Sequence, residues 1–173
     1  MTRQLQSKLR QKYMYAKKAY KQNHTVSFTN QTEVKYTPQI IEYLKSTSQF
    51  GTIKSNGDNF ENYLGIDLYT DKGTIDIKIC HCCLNCTEDT VLIDCFRKLD
   101  GKWVNACELK INDYYLFDNG SNYYLVPRKD IEKIIDTGAY TLYNKTGFME
   151  ADKYKTTKKA FIVLDEKYKL RCP

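Results

Sequence analysis

The chain has 173 residues and a mass of 20.3 kDa, enough for one domain with a real core and too short for two large ones. Hydrophobic residues make up 42%, charged residues 28%, and Gly and Pro only eight and three positions. This excludes collagen-like and low-complexity chains, and no apolar run approaches the length of a membrane-spanning helix. The net charge of +6 is uneven: Arg3, Lys8, Arg10, Lys12, Lys17, Lys18 and Lys21 precede the first acid, Glu33, and the remainder sums to −1.

Residues 3–22 read as a helix. Leu5, Leu9, Tyr13, Ala16 and Tyr20 fall on one stripe, with the seven cations beside it. A basic segment of this kind suits a polyanionic partner, either nucleic acid or an anionic membrane, and the seven cations are the candidate nucleic-acid-binding residues. A solvated helix face is the alternative. Tyr13, Tyr15 and Tyr20 could stack on bases, although the stripe accounts for Tyr13 and Tyr20 as packing residues. No signal-peptide pattern is present. The acid-free start also suits a mitochondrial presequence, but Lys outnumbers Arg and no cleavage pattern follows. Residues 23–32 are polar and Asn/Thr-rich and read as a linker or a short edge segment. The expected organisation is therefore a basic helix and linker over 1–32 and a single domain over 33–173.

A helix is expected over 38–47, with Thr37 as its cap, Pro38 in the first turn and Ile40, Ile41 and Leu44 facing the core. Residues 51–62 are turn-rich around Asn56-Gly57. Strands are expected over 64–70, 74–80 and 90–97, the last ended by Asp100-Gly101. Residues 114–118 and 122–126 form a hairpin across Asn119-Gly120-Ser121, residues 128–136 a helix after Pro127, and residues 160–165 a late strand. Trp103 reads as a core or edge aromatic rather than as a base-stacking residue. The pattern predicts an α+β (α/β) domain with a mixed central sheet flanked by helices.

Two clusters can carry chemistry. Asp76 and Lys78 are two apart on a strand and share a face, while Ile75, Ile77 and Ile79 take the other. If residue 70 pairs with 75, Asp67 lies opposite Lys78 and Tyr69 opposite Asp76, which gathers the three charges. Two close carboxylates repel, and a divalent cation relieves that; oxygen ligands suit Mg2+ or Mn2+. An exposed row of salt bridges is the alternative. The second cluster is Cys80, Cys82, Cys83 and Cys86, where Cys83-x-x-Cys86 has zinc-knuckle spacing. No second pair accompanies it, so buried thiols compete with structural Zn2+. Seven cysteines without a secretory signal indicate reduced thiols and a cytoplasmic setting. Two histidines and no phosphate-cradling glycine loop leave triad chemistry and ATP use unsupported.

The Asp67, Asp76-x-Lys78 arrangement resembles the restriction-endonuclease-like superfamily, whose site is an Asp, a variable gap, then Asp or Glu, any residue, and Lys. Element order over residues 37–136 is similar too. Ile66 stands where many members carry Pro, and Asp76 where many carry Glu. The resemblance implies a restriction-endonuclease-like core and metal-dependent cleavage of DNA. Asp67, Asp76 and the Ile77 carbonyl would bind the metal, Lys78 would orient the attacking water, and Glu42 would be a further acidic residue. A pair of chains would suit cutting both strands. A small chain rich in Lys, Tyr and Asn suits a phage or mobile element, hence the host cytoplasm. The alternatives are nucleic-acid binding without cleavage on the same fold, or a protein-binding inhibitor of a host factor.

Overall fold

A computed structural model describes residues 13–14, 30–80, 89–143 and 157–171. The seven basic positions of the arm, and Cys82, Cys83 and Cys86, lie outside the described residues. Tyr13 and Met14 are helical.

Helix α1 runs Asn30–Ser46, eight residues earlier than its expected start, so Pro38 sits inside it rather than in its first turn. The helix also crosses the expected boundary at residue 32. Ile40 and Leu44 are fully buried on its inner face. The turn-rich stretch holds a short strand, β1 (Ile53–Ser55), and a five-residue helix, α2 (Asn59–Tyr63). Both ends of α2 are capped. The Asp58 side chain accepts from the Glu61 N–H, and after Tyr63 the chain closes with Gly65 N–H to the Asn62 carbonyl and Ile66 N–H to the Glu61 carbonyl. This paired closure needs a left-handed residue, and Gly65 supplies it with φ +88°. The strand expected from residue 64 is therefore confined to β2 (Leu68–Thr70).

Strand β3 (Gly73–Ile79) follows a two-residue turn, and the register pairs Thr70 with Gly73 and Leu68 with Ile75. This corrects the expected register by two residues. A two-residue slip keeps every side chain on its face, whereas a one-residue slip would have exchanged them. Strand β4 (Thr90–Leu99) turns through Asp100-Gly101, both at positive φ, into β5 (Lys102–Asn105). A 3-10 turn (Ala106–Leu109), β6 (Tyr114–Asp118), β7 (Tyr123–Pro127) and α3 (Arg128–Asp136) follow. Strands β8 (Thr141–Tyr143) and β9 (Thr157–Val163) and a 3-10 turn (Glu166–Tyr168) complete the described residues.

The fold is mixed α+β, with two sheets instead of one central sheet. The first has the order β1-β2-β3-β6-β7, with β3 and β6 parallel. The second, β5-β4-β9-β8, is antiparallel throughout. A parallel pair needs a long crossover. Here the β3–β6 crossover carries β4, β5 and the first 3-10 turn. One face of the first sheet presents Leu68, Ile75, Ile77, Leu116 and Leu125 to Ile40, Leu44 and Phe50. The other presents Tyr115, Phe117, Tyr124 and Val126 to the second sheet and to Ile131 and Ile135 of α3. No helix among the described residues is long and apolar enough to cross a membrane.

Candidate functional site

Asp76 and Lys78 stand beside Tyr115 and Phe117 across the β3–β6 pair, so they share the face that the second sheet covers. The face is not an exposed salt-bridge row: Asp76 is 1% exposed. A charge so deep is costly unless it is paired. Its Oδ1 accepts from Lys78 Nζ at 2.5 Å, while its Oδ2 lies 3.9 Å from Lys110 Nζ. That Oδ2 accepts no hydrogen bond from any described residue.

Asp67 arrives from the α2 closure. The β2–β3 register ends with Leu68 opposite Ile75, so Asp67, just before β2, does not lie opposite Lys78 as expected. The Asp67 N–H donates to the Ile75 carbonyl at 2.9 Å, and its Oδ2 accepts the Ile77 N–H at 2.6 Å. Asp67 thus stands in for a ladder carbonyl where β2 has not yet begun. The N–H and C=O of one strand residue leave on the same side, so the Ile77 carbonyl points toward Asp67 as well. Tyr69 pairs with Thr74 and not with Asp76, and its hydroxyl donates to Glu61 at 2.5 Å. That hydrogen bond is the main reason its pKa is pushed up to about 12.

Glu42 does not join the cluster. It is exposed, with an ion pair to Lys45 at 3.0 Å, on a helix that packs against the opposite face of the sheet. Cys80 is buried in the core cluster with Val91 and Tyr124, which is a packing role. Among the described residues no three His, Cys, Asp or Glu side chains are grouped to hold a metal.

The structure adds residues that sequence reasoning missed. Lys110 donates to the Tyr63 carbonyl at 2.6 Å, and its pKa is lowered to about 8, chiefly by burial, with Asp76 opposing and Lys78 and Arg97 reinforcing. Asn112 is 1% exposed; its Nδ2 donates to the Tyr114 carbonyl, and its Oδ1 accepts from no described residue. Lys110-Ile-Asn112 alternates as Asp76-Ile-Lys78 does, and that was the available signal. Gly65 lies between them: a Cβ there would stand 2.8 Å from Asn112 Oδ1 and 2.9 Å from Asp76 Oδ2. Arg97 bonds Asp94 at 2.5 Å. Residues three apart on a regular strand face opposite ways, but β4 shifts register between Asp94 and Phe96, and such a bulge returns the two to one face. Burial is the largest influence and works against the Arg97 charge, but Asp94, Tyr63 and Asp76 together outweigh it, so its pKa is held above the ordinary value.

Cys107 and Tyr115 close the back of the site, with Sγ and hydroxyl 3.5 Å apart. Burial pushes the Cys107 thiol up to about 11, so it is no nucleophile at neutral pH. The donor set is one of hard oxygens: two carboxylates, a main-chain carbonyl and an amide oxygen, and two of these oxygens are buried and accept no hydrogen bond from a described residue. That chemistry fits Mg2+ or Mn2+ rather than a thiolate-seeking ion. No protein-family model, curated protein or solved structure matches this chain.

Proposed function

We propose that the chain is a metal-dependent endodeoxyribonuclease with a restriction-endonuclease-like core. The observation that carries the reading is Asp76: a buried carboxylate with one oxygen lacking a hydrogen-bond donor, next to Lys78 and Lys110. The arrangement of α1, then the β2–β3 hairpin with Asp67 just before β2 and Asp76 on β3, then a strand parallel to β3 supports it. Asp67, Asp76 and the Ile77 carbonyl would hold a divalent ion, with Asn112 Oδ1 as a further neutral oxygen. When bound, such an ion supplies Lewis-acid activation of a phosphodiester and of water. Lys78 keeps part of its side chain open to solvent, so its ammonium can position a water. Lys110 lies deeper and offsets negative charge developing at phosphorus.

Asp76→Asn and Lys78→Met should each lower cleavage of plasmid, single-stranded or four-way-junction DNA by about a hundredfold or more. Chelator should abolish the wild-type reaction. Full cleavage by Asp76→Asn, or cleavage that survives chelator, would sink the assignment. A second reading, nucleic-acid binding without cleavage, is favoured by one observation: Asp67 and Asp76 each already hold a protein donor. DNA binding with no metal-dependent product in any substrate would select it.

A further inference from the structure

Trp103 lies on β5, the end strand of the second sheet, and keeps 37% of its surface exposed. An indole left at a surface forgoes a large burial gain, so what surrounds it is informative. Two ammonium groups address its ring. Lys158 Nζ is 4.4 Å and Lys98 Nζ 5.7 Å from the ring centroid. The register sets Lys98 directly opposite Trp103, and Lys158 opposite Phe96 one step along the same face. Three neighbouring strands therefore contribute one aromatic plate and two cations to one patch. Adjacent strand residues face opposite ways, so Arg97 turns to the Asp76 side while Lys98 turns to Trp103.

We propose that Trp103, Lys98 and Lys158 form a stacking platform for single-stranded DNA or RNA. A base has a π-face for the indole, and its flanking phosphates carry the charge that two lysines complement. A duplex presents phosphates but hides its base faces, so the plate selects unpaired strand. The proposal rests on the nucleic-acid reading above and names its substrate: a polynucleotide with an unpaired segment, passing over the β5 edge toward Asp76.

The chain contains a single tryptophan, so its emission reports this patch alone. Full-length protein is titrated in EDTA with a labelled oligothymidylate, following label anisotropy and tryptophan emission together. Saturable quenching in step with anisotropy is expected. Lys98→Gln/Lys158→Gln should weaken binding about tenfold and flatten the log–log salt slope by roughly 1.4, at about 0.7 per phosphate contact on single strands. Trp103→Ala should weaken binding about tenfold or more, and Trp103→Phe should keep most of it. Anisotropy change with constant emission would overturn the proposal, as would absence of binding. Equal quenching by a hairpin duplex would overturn the single-strand selectivity. Metal-dependent cleavage is scored separately: cleavage with silent emission removes only the platform, and quenching without cleavage removes only the nuclease.

Discussion

Gly65 and Gly101 both hold positive φ, at +88° and +77°, yet their surroundings differ. A Cβ on Gly101 meets nothing within 4 Å, whereas one on Gly65 meets Asn112 Oδ1 and Asp76 Oδ2 inside 3 Å. Gly101→Ala should therefore carry only the backbone penalty, about 1 kcal/mol. Gly65→Ala adds displacement of two buried polar side chains and should lose about 2–4 kcal/mol. Urea unfolding of both variants checks this, and equal losses would mean that the notch beside Asp76 is not tight. The comparison also shows what residue identity leaves open. The closure Asn62-Tyr63-Leu64-Gly65 was present in the sequence, but a five-residue helix has too little periodicity to announce itself.

Two descriptions of the first long helix differ in where it starts, and Pro38 decides between them. In a helix running Asn30–Ser46, Pro38 is interior, and its ring removes a main-chain hydrogen bond four residues back. Pro38→Ala should then stabilise the protein by about 2 kcal/mol, read as a higher melting temperature. A helix capped by Thr37 would gain nothing from the change, because its first turn has no partner for that N–H. The hairpins follow a different logic. Asn119-Gly120-Ser121 and Asp100-Gly101 mark their turns by chemistry alone, and the structure closes β6–β7 and β4–β5 there. Strands β1 and β8, three residues each, lack such marks and were not legible.

Over the whole molecule, charge and packing pull on the N-terminal arm in opposite senses. Removing residues 1–22 deletes seven cations and leaves a body of net −1. The Tyr13 ring meets Phe60 of α2 edge-on, with centroids 5.3 Å apart, so Tyr13 covers apolar surface next to the helix that delivers Asp67. If three or four of the seven cations hold phosphates, the deletion should flatten the salt dependence of duplex binding by roughly 3 units, at about 0.9 per contact. A truncated protein that melts early but keeps its salt slope would assign the arm to packing alone.

The sequence by itself determined that Asp76 and Lys78 share a strand face opposite Ile75 and Ile77. A two-residue period is a property of the extended backbone and needs no partner. It likewise determined α3 after Pro127 and the β6–β7 hairpin, since both depend on local propensity and turn residues. Tertiary structure alone decided that this face is covered by a second sheet. It also decided that Lys110, Asn112 and Arg97 surround Asp76, and that Glu42 lies on the far side. Those residues stand tens of positions from Asp76 along the chain. The parallel β3–β6 crossover and the bulge in β4 bring Lys110, Asn112 and Arg97 to it. Neither device has a local sequence period, because each exists only once separate strands pair.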